Sequence, residues 1–255
     1  VEQARKEAQS KWQHKLDGGY KESVEDIDNG GGFILPMLAK NFLDRQDKII
    51  YPVIVDIKYN GGRVITHKGG SFTRTGEKYE SIPHFFESLK FLFDKYPYMF
   101  LDGEGYNHEY KYNLNEIMSL IRKTKHITAI DINNSKNKIS YYVYDGYGWD
   151  NIDKDTKQFD RRMALIQLLK DIPFIIPVVG KIAQNKDEVL EIYQEYLDDG
   201  YEGAIIRLDT PYEHKRSSSL LKLKPEDDSE GIILNISEGK GNWTGGGKII
   251  SMRWQ

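Results

Sequence analysis

The chain has 255 residues, 39% of them hydrophobic, which suffices for one large core, or one core and a small second domain. A net charge of -3 gives no global basic footprint, so any polyanionic partner must meet local clusters of Lys and Arg. The absence of Cys excludes disulfides, thiolate metal sites and a cysteine nucleophile, and it fits a reducing compartment; no stretch is long and apolar enough to span a membrane, and no secretory signal is visible at Val1.

In chain order, "QARKEAQSKWQHKL" (3–16) is a polar, helix-favouring leader, and "SVEDIDNGGGF" is a flexible linker loosest at Gly30-Gly31-Gly32. "PVIVDIK" (52–58) alternates with period two and reads as a strand. It turns at Gly61-Gly62 into a strand over 63–68, and Gly69-Gly70 folds that into 71–75 as a hairpin. "IPHFFESLKFLFDKY" places Phe85, Phe86, Leu89 and Phe93 at helical spacing, as a core face. "YMFLDGEGY" is a strand, "NLNEIMSLIRKT" a helix, "KISYYVYDGY" a strand and "QFDRRMALIQLLKDI" a helix. "FIIPVVGKI" reads as one buried strand, and "NKDEVLEIYQEYLDDG" as a helix closed by Gly200. "EGAIIRL" and "SLLKLK" are strands. After Pro225 a second pattern of β character and glycine-rich turns runs to Gln255, placing a domain boundary near 225 to 230.

The stretch "DIKYNGGR" (56–63) raises a chemical question. Asp56 and Lys58 share one strand face, ~6.6 Å apart along the strand, and the next positions lose their side-chain bulk at Gly61 and Gly62. A lysine at a strand end is ordinarily a solvated edge residue. The alternative is a covalent nucleophile, which must shed a proton before attack and gains from neighbouring cations. Glycines then let phosphate or sugar approach the backbone closely.

Five further segments follow in order: "TRTGEKY" with Arg74, "LDGEGY" with Glu104, "YYVYDGY" with Tyr144 and Asp145, "YEGAIIR" with Glu202, and "SSLLKLK" with Lys222 and Lys224. With "DIKYNGGR" they resemble the ordered nucleotidyltransferase motifs of ATP-dependent DNA ligases, most closely the small phage and viral type, over about residues 33 to 250. "PMLAK" (36–40) resembles the leader that precedes the domain in those enzymes. The resemblance implies an α+β, ATP-grasp-like nucleotidyltransferase domain of two mostly antiparallel sheets with flanking helices, over 33–227. A helical leader and linker would occupy 1–32, and the start of an OB-fold 228–255.

The same resemblance implies the chemistry: Lys58 attacks the α-phosphate of ATP, the AMP passes to the 5′-phosphate at a nick in duplex DNA, and the 3′-hydroxyl displaces it. Lys58, Lys222, Lys224 and Arg63 would be catalytic. Asp56 (at the adenine amino group), Ile57, Arg63, Arg74, Glu104, Tyr144 (stacked on adenine), Glu202, Lys222 and Lys224 would bind ATP or AMP. Glu104 and Glu202 would hold Mg²⁺, and Arg63, Arg74, Arg216, Lys240 and Lys248 would meet DNA. Lys215, Arg253, Trp243 and Trp254 crowd the same last quarter, where a solvated basic tail fits equally well. The expected setting is DNA repair, replication and recombination, by a cytoplasmic monomer, in the host cytoplasm if the source is viral.

Two departures stand out. The aspartate usual two residues after the nucleophile is Asn60, which keeps hydrogen-bonding capacity but not charge. The final basic motif of the OB domain has no match, so the chain is either a fragment or an unusually short enzyme. An RNA ligase, an mRNA guanylyltransferase and a non-catalytic nick-binding module are the competing readings.

Overall fold

The computed structural model describes residues 5–9, 11–12, 34–225, 231–238 and 247–254. The chain divides into two compact units, Val1–Lys224 and Pro225–Gln255. No helix among the described residues is long and apolar enough to cross a membrane.

The first unit carries two five-stranded sheets. Sheet A contains β1 (Leu38–Asn41), β2 (Val53–Lys58), β8 (Lys181–Ala183), β9 (Gly203–Arg207) and β10 (Arg216–Leu223), in the order β1-β10-β9-β2-β8. Sheet B contains β3 (Gly62–His67), β4 (Gly70–Phe72), β5 (Phe100–Tyr106), β6 (Ser140–Tyr147) and β7 (Ile175–Pro177), in the order β4-β3-β5-β6-β7. Pairing is antiparallel except for β1 with β10 and β6 with β7. The expected hairpin at Gly69-Gly70 is the β3–β4 turn.

Helices cover the outer faces. The first, α1 (Pro83–Lys95), starts on Pro83 and buries Phe85, Leu89, Leu92 and Phe93, the i, i+4, i+7, i+8 stripe of an amphipathic helix. With α2 (Leu114–Ile121) and α4 (Gln158–Leu169) it encloses the larger core against sheet B, around Val64, Leu101, Tyr141 and Val143. A helix absent from the sequence reading, α3 (Ala129–Lys138), begins at a reciprocal cap in which Thr128 and Asp131 satisfy each other's backbone N–H groups. On sheet A, α5 (Lys186–Asp198) packs Val189, Ile192 and Tyr196 over Val53, Val55 and Ile206 and stops at Gly200, which has φ +81°. A small third cluster, Met37, Ile65, Phe100, Tyr212 and Leu220, draws residues from both sheets.

The stretch 174–182, expected as one strand, is two. Pro177 lacks the N–H needed to extend the ladder, and Gly180, at φ +72°, turns the chain from the edge of sheet B to the edge of sheet A. The leader segment is itself a strand, β1, at the other edge of sheet A.

Within the second unit, β11 (Gly231–Glu238) and β12 (Gly247–Trp254) form an antiparallel pair. The described residues of this unit give two paired strands, not a closed barrel. The linker glycines 30–32, Lys240 and Trp243 lie outside the described residues, as do the side chains of Lys248, Arg253 and Trp254.

Candidate active site

The stretch "KYNGGR" is where the chain passes from one sheet to the other: Lys58 ends β2 of sheet A, and Gly62 begins β3 of sheet B. Period-two alternation sends Val53, Val55 and Ile57 toward α5, and Ile54, Asp56 and Lys58 toward sheet B. A cleft of about 520 Å³ opens at the crossing. Its lining includes Leu38 and Ala39 of β1, Ile57 and Lys58 of β2, Ile205 and Arg207 of β9, and Leu220 and Lys222 of β10. Sheet B contributes Arg63, Glu104 and Tyr144.

The glycines are spent on packing as well as access. A Cβ on Gly61 would stand 2.5 Å from the Gly105 carbonyl oxygen of β5, and one on Gly62 would stand 2.1 Å from Ile121 Cδ1. The backbone therefore crosses hard against β5 and α2, and a ligand is not the first thing to need that space.

The cleft is strongly cationic. Arg63, Arg74, Arg122, Arg207 and Arg216 line it with Lys58 and Lys222, against Glu104 as the acid in the lining among the described residues. Lys58, with its side chain about one-fifth exposed, forms an ion pair with Glu202, which precedes β9. Arg63 is clamped to Asp102 by two hydrogen bonds of 2.9 and 2.6 Å and donates a third to the Met37 carbonyl at 2.8 Å, leaving only part of its fork for a ligand. Arg74 is exposed on the loop after β4, and Arg122 lies 3.6 Å from Glu77 of that loop. Arg216 lines the cleft while donating to the Ala39 carbonyl at 2.6 Å. The Tyr144 ring stands 4.7 Å from the Arg207 guanidinium carbon and 5.8 Å from that of Arg63.

Burial pushes the Glu104 carboxyl up to about 8, with Asp102 and Glu202 adding to the rise and Arg63 and Lys58 opposing it. A half-buried carboxylate so raised is one that a cation would stabilise. No group of three or more His, Cys, Asp or Glu side chains suited to a metal occurs among the described residues. Glu104 and Glu202 nevertheless fit Mg²⁺ in the form it commonly takes, one or two carboxylates completed by water and substrate phosphate oxygens.

Two sequence expectations change. Asp56 does not line the cleft. Only 1% exposed, it accepts from Arg162 Nη1 on Oδ1 at 2.7 Å, and from Arg162 Nη2 and Arg207 Nε on Oδ2 at 2.7 and 2.6 Å. Burial alone would raise its pKa, but the two guanidiniums outweigh it and hold the carboxyl below its ordinary value. Its oxygens are thus committed to arginines rather than to an adenine amino group. Lys222 lines the cleft, whereas Lys224 lies one residue past β10, exposed and outside the lining. Asn60, for its part, donates weakly to the Lys111 carbonyl at 3.4 Å.

Sequence reasoning missed Arg122, Arg162 and Arg207. Arg162 left a readable signal: it falls with Gln158, Leu165 and Leu169 at i, i+4, i+7, i+11 on the apolar face of α4, and all four are buried. A charge on such a face needs a buried partner.

Comparison with known proteins agrees with this geometry. The family described as ATP dependent DNA ligase domain matches residues 36–224. A DNA ligase of African swine fever virus is 28% identical over 259 residues, covering 94% of this chain and 57% of its own length, and one of Enterobacteria phage T3 is 29% identical over 90 residues, covering 35% of this chain and 26% of its own. The chain thus spans little more than half the length of the African swine fever virus relative. Among solved structures, the Chlorella virus DNA ligase-adenylate superposes with a TM-score of 0.57 at 23% identity, over 82% of this chain and 74% of that one. The ATP-dependent DNA ligase from bacteriophage T7 in complex with ATP gives 0.59 at 18% identity, over 87% of this chain and 77% of that one, and both share its fold. Two facing sheets joined at a lysine, and a family match across nearly all of the first unit, lead to one conclusion: the chain belongs to the ATP dependent DNA ligase domain family.

Proposed function

We propose that residues 33–227 are the adenylyltransferase domain of an ATP-dependent DNA ligase that seals 5′-phosphate/3′-hydroxyl nicks in duplex DNA, and that residues 228–255 begin an OB-fold. The observation that carries the reading is Lys58 at the sheet crossing, paired with Glu202 and surrounded by five arginines and Lys222.

Lys58 Nζ, once deprotonated, attacks the α-phosphorus of ATP. A nitrogen–phosphorus bond forms, the bond to the bridging oxygen breaks, and pyrophosphate leaves. Lys222 and the arginine forks neutralise the phosphate oxygens, so that catalysis is largely positioning and charge stabilisation. Tyr144 stacks on the base, Ile57 lies in the lining beside Lys58, and Arg63 and Glu104 reach the ribose. Glu104 and Glu202 hold Mg²⁺, which when bound supplies positive charge to the phosphates. AMP then passes from Lys58 to the 5′-phosphate at the nick, and the 3′-hydroxyl displaces it. Arg74 and Arg216, exposed at the cleft, meet the DNA backbone without reading bases. The proposed setting is the cytoplasm.

Intact mass after incubation with ATP and Mg²⁺ tests the proposal. The wild-type chain gains one AMP, GTP adds nothing, and Lys58→Ala gains nothing while keeping its circular dichroism spectrum. An adduct retained by Lys58→Ala would falsify the assignment.

A further inference from the structure

Beneath the cleft lies a buried charge network that shares only Arg207 with the cleft lining. Arg161 and Arg162 of α4, Arg207 of β9, Asp56 of β2 and Asp145 of β6 have side chains at most 4% exposed. Arg161 holds Asp145 through Nε and Nη2 at 3.0 and 3.1 Å. Arg207 joins the two carboxylates, at 2.6 Å to Asp56 and 3.4 Å to Asp145. Three cations against two anions, out of water, are costly to bury, and apolar residues would fill the volume at no electrostatic cost. What such a network can supply is a single fixed arrangement.

Its placement shows which arrangement. Sheet A pairs β2 with β9 along its length, but β8 borders only Val53–Val55, so from Asp56 onward the outer edge of β2 has no strand beside it. Arg162 meets Asp56 on the face of β2 that looks toward sheet B. It grips both oxygens of Asp56 and donates from Nη1 to the Val178 and Val179 carbonyls at 2.9 and 3.3 Å, in the turn that returns the chain from sheet B to sheet A. Gly180 closes the fit, since a Cβ there would stand 2.5 Å from Asp56 Oδ1. The helix that carries Arg162 packs Leu165 and Leu169 into the core of sheet B. The bidentate pair is therefore a strut from sheet B to the strand of sheet A that ends in Lys58, two residues on and on the same face.

We infer that Arg162 is a positioning residue for lysine adenylation: through Asp56 it sets the reach of Lys58 toward Glu104 and Tyr144 on the opposite sheet. This rests on the proposed function above. Lysine in its place keeps the charge but cannot span two carboxylate oxygens and the Val178 carbonyl together, while methionine keeps volume alone.

The test is single-turnover adduct formation at saturating ATP for wild type, Arg162→Lys and Arg162→Met, with the ATP concentration dependence and the final labelled fraction. Misplacement of the nucleophile by about 1 Å should slow the rate constant 10- to 100-fold. KM for ATP should stay within about 3-fold, with Arg162→Lys retaining more rate than Arg162→Met. A purely structural role would lower the labelled fraction and leave the rate constant of the folded molecules unchanged; that result overturns the inference, and so does a rise in KM alone. If Arg162→Met does not fold, Arg162→Lys decides by the same criteria. A wild-type chain that takes no label removes the functional reading and this inference with it, whereas labelling of Arg162→Lys at the wild-type rate removes only the strut.

Discussion

A methyl group at Gly61 would meet the Gly105 carbonyl oxygen at 2.5 Å and Glu104 Cγ at 2.9 Å, and the first of these is backbone of β5, one residue before its end. That strand is bonded on both sides, to β3 and β6, so it cannot step aside. To bring the contact back to about 3.4 Å, the crossing must lift from β5 by about 0.9 Å, carrying Lys58 away from Glu104. Overpacking of this kind costs about 1–3 kcal/mol. At about 2–4 °C per kcal/mol for a unit of this size, Gly61→Ala should lower the melting temperature by about 2–12 °C. The same displacement should slow Lys58 adenylation by about two orders of magnitude. Gly62→Ala is the control, because its methyl meets Ile121 Cδ1, the end of a flexible side chain, and a rotamer change in α2 relieves it. It should lose stability with a much smaller effect on rate. Scanning calorimetry and single-turnover labelling read both quantities, and Gly61→Ala labelling at the wild-type rate would refute the reasoning.

Asp56→Asn leaves Arg162 buried without its anion and Arg207 with Asp145 alone, and should cost about 3–5 kcal/mol in urea unfolding; an unchanged midpoint with a raised KM for ATP would instead return Asp56 to the adenine. His84 is 2% exposed, and burial lowers its pKa to about 4, so it stays neutral in the folded chain. The unfolded chain takes up the proton first, so this contribution is complete above about pH 6.5 and declines as pH falls toward 4, by about 1–2 kcal/mol at pH 5. His84→Phe should flatten that part of the urea-midpoint profile between pH 7 and 5. Lys222→Ala and Glu202→Ala should each slow adduct formation at least about 10-fold, as removal of transition-state charge stabilisation does, and added Mg²⁺ should recover more of the Glu202→Ala loss.

Much of the fold was legible because period and punctuation agree locally. The α1 stripe at Phe85, Leu89 and Phe93 and the glycine stop at Gly200 are signals that no tertiary contact reverses. The segment 174–182 misled because its run is continuously apolar, although Ile176, Val179 and Ile182 are all exposed; only the pairing of β7 and β8 with different sheets reveals the break. Of the site, Lys58, Arg63, Arg74, Glu104, Tyr144, Arg216 and Lys222 of the cleft lining were readable in order along the chain, and Arg122 and Arg207 of the same lining were missed. The residues that hold these side chains were not readable. Asp56 is 106 residues from Arg162 and 151 from Arg207, and no local pattern states that a strand acid will meet arginines that far away. The reading of Gly61 had the right residue and an incomplete reason, since its nearest neighbour, Gly105 of β5, is a partner that only the folded chain supplies.

The passage from β2 to β3 takes three residues, Tyr59 to Gly61, so one of the two short covalent ties between the sheets lies beside the Lys58 amine, the other being Val178 to Gly180. Rocking of one sheet on the other would turn about these two ties. Lys58 ends β2 and Arg63 is the second residue of β3, on either side of the first tie, while Arg216 opens β10 and Arg74 lies on the loop after β4. Breathing of the molecule would thus sweep the outer cations through space, admitting a large polyanion, while barely disturbing the spacing on which bond making depends.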